Sequence, residues 1–192
     1  LCGQRVEAHP ELARAIVASG HQAYAHGYSH VRIDVLSEAE ALDEIVRTEE
    51  LISRFRTSPS PYLVRLPFGS GHGEARIHRL LRRWRSDCQI AHWSYNPEDF
   101  KIAEGCSTRS ELEEKCGLAA GRIFNDPKIN GKAILMHDDP IGATGTLAHE
   151  IARIFLSKIL TTAAERQFAI AGFEPASNNA WVRRYVRPWI KY

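Results

Sequence analysis

Tyr62-Leu63-Val64-Arg65-Leu66, followed directly by Pro67-Phe68-Gly69, is an apolar run too short for a helix. Its length, the β-branched Val64 and the Pro/Gly boundary read as a buried strand. A stretch with helical periodicity, Glu74 to Trp84, comes next, and a second strand is expected from Cys88 to Trp93. Strand, helix and strand in succession make a unit of parallel sheet, because parallel strands need a crossover and a helix supplies it. Outward from this unit the alternation continues. Upstream lie a helix from about Pro10 to Ser19, with Gly20 just past its end, and a strand at His21 to Ala25. The next helix opens on the capping box Ser37/Glu40, carries Leu42, Ile45, Val46, Ile52 and Phe55 on one face, and is broken by Ser58-Pro59-Ser60-Pro61. Downstream, Thr108 and Glu111 cap a helix that runs to about Phe124 and is closed by Asp126-Pro127. Then come a strand at Lys132 to Met136, a long helix from Leu147 to Gln167 and a strand at Phe168 to Phe173. Five strands plus a stub at Leu1-Cys2-Gly3 predict an α/β fold with parallel strands.

The 192 residues are 44% hydrophobic and 25% charged, which fits a globular domain and excludes collagen-like or disordered chains. A net charge of +2, from 25 basic and 23 acidic residues, gives no overall field to recruit nucleic acid or an anionic membrane. No apolar run approaches the roughly 18 residues of a membrane span, and the residues after Leu1 lack a secretory signal pattern. Arg82-Arg83-Trp84-Arg85 reads as a solvated helix face. The four cysteines (Cys2, Cys88, Cys106, Cys116) lack metal-ligand spacing and read as core positions. Cys106 and Cys116 could pair in an oxidising compartment or stand as free thiols. Near the C-terminus Trp181, Tyr185 and Trp189 recur every four residues among Arg183, Arg184, Arg187 and Lys191. That stripe packs on its own domain or, as the lesser reading, forms a sugar or partner surface.

Sites in parallel β/α folds gather at the carboxyl ends of the strands. Here those positions hold His26-Gly27-Tyr28-Ser29-His30, Arg65 with Pro67-Phe68-Gly69, Asn96-Pro97-Glu98-Asp99-Phe100, and His137-Asp138-Asp139. An HxxxH pair is compatible with one metal, although nine histidines make such a pair easy to find by chance. His137 alone would be a structural histidine, Arg65 an ion-pair partner and Asp99 a loop cap. Their common place at strand ends raises all of them together.

In this order the motifs resemble the polysaccharide deacetylases of carbohydrate esterase family 4, which include chitin, peptidoglycan, acetylxylan and chitooligosaccharide deacetylases. Gly3 to Leu12 and Ala18 to His21 look like the helix before the family's histidine motif, and His26 and His30 match its two metal-ligand histidines. Arg65 to Gly69 matches the arginine motif, Trp93 to Phe100 the aspartate motif, and Leu135 to Asp138 the final histidine motif. The resemblance spans about residues 3 to 174.

It implies a distorted (β/α) barrel over 1–174, lacking its first strand in this chain, with 175–192 as an extension packed on the barrel. It further implies metal-dependent hydrolysis of N-acetyl or O-acetyl groups on a polysaccharide or oligosaccharide. His26 and His30 would hold a divalent cation, usually Zn2+. The Phe68 backbone N–H would help stabilise the oxyanion, His137 would be the general acid held protonated by Asp99, and Arg65 would orient a catalytic carboxylate. Phe100 and Leu135 would line the acetyl-methyl pocket. The substrates imply a secreted, periplasmic or cell-surface protein.

Several positions depart from the family pattern. Its first motif, a strand ending in paired aspartates that supplies the base and a third metal ligand, would lie before Leu1. Gly27 stands for a usual Ser or Thr, Val31 for a frequent Pro, Asn96 for Asp and Phe100 for Trp. The chain is then either a piece of an active deacetylase or a diverged relative that binds sugar or metal without hydrolysis. The apparent mid-strand start and the retained Asp99 and His137 favour the first.

Overall fold

The computed structural model describes residues 1–138 and 146–173. Asp139, the aromatic stripe at Trp181, Tyr185 and Trp189, and the expected extension 175–192 lie outside the described residues. Two compact units are present among the described residues, Leu1–His92 with Gly172 and Phe173, and Trp93–Ala171.

In the first unit α1 (Gly3–Ala8), α2 (Pro10–Ala18), α3 (Glu38–Ile52) and α4 (Ala75–Trp84) surround a short parallel pair, β1 (Leu63–Val64) and β2 (Gln89–Ile90). Leu63 sits opposite Gln89 and Val64 opposite Ile90, so the strand–helix–strand unit expected from the sequence is formed. Beyond this pair the sheet continues as extended chain joined by isolated hydrogen bonds. Arg65 N–H donates to Ala25 O at 3.1 Å, and His26 N–H donates to Leu1 O at 2.9 Å. The expected strands therefore shorten. Tyr62–Leu66 becomes the two residues of β1, Cys88–Trp93 those of β2, and His21–Ala25 stays extended without a reciprocal ladder. Val64, Leu66, Tyr62, Ile45, Ile77 and Leu81 form the main core of this unit, and Val6, Ala13, Leu51 and Ile52 a second one.

Helix α1 is a correction to the strand stub expected at Leu1-Cys2-Gly3. Leu1 and Cys2 are extended, but the chain turns helical at Gly3. A Cβ on Gly3 would meet Tyr28 Cδ2 at 2.3 Å and Thr48 Oγ1 at 2.7 Å, so only glycine allows this approach. The orphan donors of the new helix are answered by the neighbouring loop, Gly3 N–H by Gly27 O and Gln4 N–H by Tyr28 O, both at 3.0 Å.

In the second unit α5 (Arg109–Asn125) packs on α6 (Ile151–Glu165) around Leu112, Cys116, Ile123, Ile151, Phe155 and Ile159. The capping box Thr108/Glu111 is present, as is Ser37/Glu40 on α3. Among the described residues, the expected strand Lys132–Met136 contributes one parallel bridge, Ile134 to Tyr95. The helix expected from Leu147 starts as a 3-10 turn at Ala148–Glu150, and left-handed Gln167 (φ 62°) ends it. Phe168 turns its ring onto Phe124 at 5.2 Å, and no strand forms at Phe168–Phe173. All four cysteines are free thiols, and Cys106 and Cys116 are not bridged. Burial pushes the Cys116 thiol up to about 11, which leaves it unreactive.

Candidate metal and acid–base centres

Within the first unit, His26 and His30 flank a tight turn. Gly27 there has φ +74°, and a Cβ would meet Pro67 Cγ at 3.0 Å and Glu44 Oε2 at 3.1 Å. The glycine in place of Ser or Thr thus fits the close approach of Glu44. That carboxylate accepts from Tyr28 N–H at 2.8 Å, Ser29 N–H at 2.9 Å and the Ser29 hydroxyl at 2.7 Å, tying the turn to α3. His30 completes it in the left-handed region, φ 58°. No motif signals Glu44, which in sequence looks like one more charge on a helix.

His26 Nδ1 lies 2.9 Å from Arg65 O. A carbonyl can only accept, so Nδ1 carries the proton and Nε2 keeps its lone pair, as a metal-ligating imidazole requires. Burial, only partly offset by this hydrogen bond, lowers the His26 pKa to about 4. The ring is therefore neutral at pH 7. Its centroid is 4.9 Å from that of His30, which is 4.7 Å from that of Phe68. Phe68 is 56% exposed and strained into the left-handed region, φ 56°. Arg65 places its carbonyl on His26, a contribution the sequence did not suggest; its guanidinium, lowered to about 10 by burial, stays charged at neutral pH.

Cys2, read from sequence as core, lies at this site. Its Sγ and one ring nitrogen from each of His26 and His30 are all within 4.8 Å of one another. Two neutral-capable imidazoles and a thiol are suitable donors for a divalent metal such as zinc. A further pair nearby in sequence, His72 and His92, stacks at 3.9 Å with rings 5° from parallel. Burial first, then the charges of His72 and Arg65, lowers the His92 pKa to about 4.

The second unit holds the Asp99–His137 pair. Asp99 is 0% exposed; its Oδ1 lies 2.7 Å from His137 Nδ1, and its Oδ2 accepts the His137 backbone N–H at 2.7 Å. Phe100, in the same 3-10 turn, sets its ring edge-on to His137 at 6.3 Å. Leu135 is fixed two residues before His137 by its N–H bond to Tyr95 O at 2.9 Å and is half-buried.

The family profile described as "Polysaccharide deacetylase" matches residues 1–84. A peptidoglycan-N-acetylglucosamine deacetylase of Bacillus cereus is 28% identical over 145 residues, covering 74% of this chain and 46% of its own length. A peptidoglycan-N-acetylmuramic acid deacetylase of Bacillus subtilis is 28% identical over 71% of this chain and 25% of its own. The chain thus spans less than half the length of these curated relatives. Among solved structures, a polysaccharide deacetylase of Bacillus cereus superposes with TM-score 0.69 at 20% identity, over 94% of this chain and 82% of that one. A family pseudoenzyme of Bacillus anthracis gives 0.61 at 20% identity, over 90% and 52%. With the histidine, arginine and aspartate motifs in the places described above, the chain is similar to the polysaccharide deacetylases of carbohydrate esterase family 4, through the profile over residues 1–84 and its peptidoglycan-deacetylase relatives.

Proposed function

We propose that the protein hydrolyses N-acetyl or O-acetyl groups of a polysaccharide or oligosaccharide, releasing acetate, in a metal-dependent reaction outside the cytoplasm. His26 and His30 would hold the divalent cation, zinc by the preference of imidazole donors. When bound, that cation supplies Lewis-acid polarisation of the acetyl carbonyl and a lowered pKa for water. The Phe68 N–H donates to the acyl oxygen as negative charge grows on it. Arg65 has two tasks in this reading, holding His26 through its carbonyl and orienting a carboxylate base through its guanidinium. His137 protonates the departing nitrogen or oxygen. With Nδ1 bonded to Asp99, its proton transfer falls to Nε2. Leu135 and Phe100 give the acetyl methyl an apolar wall.

The observation that carries the reading is the double hold of buried Asp99 on His137, a device that binding alone does not need. A noncatalytic sugar- or metal-binding role is the second reading, favoured by the likeness to a family pseudoenzyme. Acetate release from acetylated chitooligosaccharide, peptidoglycan fragments and acetylxylan, with and without zinc, separates the two. His137→Ala is expected to abolish release while metal stays bound.

A further inference from the structure

We propose that Cys2 is a further protein ligand, so that a thiolate joins the two imidazoles on the metal. The inference rests on the reading of His26 and His30 as metal ligands. Among the described residues, Cys2, His26 and His30 are the only group of three His, Cys, Asp or Glu side chains whose donor atoms come so close, all within 4.8 Å. Three atoms at that spacing share a point within about 2.8 Å of each, so a shift of under an ångström per ligand reaches the ~2.0–2.3 Å of zinc–nitrogen and zinc–sulfur bonds.

The backbone on both sides fixes where Cys2 sits. Leu1 accepts from His26 N–H at 2.9 Å and Gly3 donates to Gly27 O at 3.0 Å. The thiol lies between two bonds to the very segment that carries the first histidine, and Sγ itself is 3.7 Å from His26 O. Cys2 also differs from the core cysteines. Cys88, Cys106 and Cys116 are buried, and burial raises Cys88 to about 12, whereas Cys2 is half-buried like the two histidines beside it. Binding converts the Cys2 thiol to a thiolate and releases its proton to solvent, with no change of oxidation state. A soft sulfur donor then biases the site toward zinc and cobalt and away from magnesium, manganese and calcium, which prefer oxygen.

Cobalt(II) titrated anaerobically into the protein reads the ligand directly. The wild type is expected to show a near-ultraviolet thiolate-to-cobalt charge-transfer band alongside the visible bands of bound cobalt. Cys2→Ser should lose the near-ultraviolet band and bind zinc about 10-fold more weakly or worse, at least what losing a supporting partner costs. Cys2→Asp should bind cobalt without that band, showing that turn and histidines remain intact. If either variant fails to fold, the wild-type spectrum decides alone. Visible bands with no charge-transfer band, or unchanged zinc affinity in Cys2→Ser, overturns the Cys2 ligand and leaves His26 and His30 as the metal site. No cobalt binding at all overturns both.

Discussion

Asp99 holds His137 with both carboxylate oxygens, Oδ1 at 2.7 Å from the ring Nδ1 and Oδ2 at 2.7 Å from the backbone N–H. One side chain therefore fixes the tautomer of the imidazole and the position of its backbone. Asp99→Asn keeps the shape but replaces one acceptor by an NH2 group, which cannot accept from Nδ1–H or from the N–H at once with the remaining oxygen. We expect kcat for acetate release to fall by about 10²–10⁴, the usual contribution of a general acid. Zinc content, measured by elemental analysis, should be unchanged; loss of metal would show that the pair serves the site differently.

Glu44 organises the turn between the two histidines through Tyr28 and Ser29. Glu44→Gln removes the charge from three hydrogen bonds. Zinc affinity by calorimetry is expected to weaken about 10–100-fold, as when the outer support of a ligand is lost. Activity should return at saturating zinc. If affinity is unchanged, the turn is held by its backbone alone.

Glu49, on α3, ties three neighbours together. It pairs with Arg56 at 2.8 Å, accepts from the Tyr62 hydroxyl at 2.6 Å and from Ser58 at 2.8 Å, while Arg56 Nε donates to Ala23 O at 2.8 Å. Removing one partner leaves a nearly buried charge unpaired. Glu49→Ala is expected to cost about 3–5 kcal/mol in urea unfolding. Tyr62→Phe should cost about 1–3 kcal/mol, since it removes the hydrogen bond to Glu49 and leaves the buried Ala25 N–H without its acceptor at 3.3 Å, but removes no charge.

His92 stacks on His72, and its pKa is lowered from 6.5 to about 4, mainly by burial. In the folded protein it stays neutral where the unfolded chain would be protonated. Stability therefore falls as pH drops from 6.5 toward 4 and levels off below, because the unfolded state takes up the extra proton in that window. Proton NMR should show His92 titrating near 4. His92→Phe should flatten the loss of thermal stability between pH 6.5 and 4; an unchanged slope would assign it to other groups.

The sequence was most legible where side chain and backbone interact locally. Both capping boxes, Ser37/Glu40 and Thr108/Glu111, and the crossover from β1 to β2 follow from short-range patterns, and the structure forms them. Strand lengths were less legible because a strand is defined by its neighbours. Ala25 accepts a bond from Arg65, and among the described residues Ile134 bridges to Tyr95, so apolar runs of five residues collapse to pairs or bridges. The motif order pointed to His26, His30 and Arg65 in the first unit and to Asp99 and His137 in the second. Glu44 was hidden because its partners are backbone N–H groups fifteen and sixteen residues away. Cys2 was hidden because its closeness to His26 depends on chain pairing across 24 residues, which no spacing rule encodes.

The central claim, hydrolysis at a histidine-held metal, is tested most directly by acetate released from acetylated chitooligosaccharide and peptidoglycan fragments by the zinc-loaded protein, beside the chelated protein and His26→Ala. The account predicts release with zinc, none after chelation, recovery on adding zinc back, and none from His26→Ala at any zinc concentration. Zinc bound through His26 with no acetate from any acetylated glycan, or release that survives both chelation and His26→Ala, would contradict it.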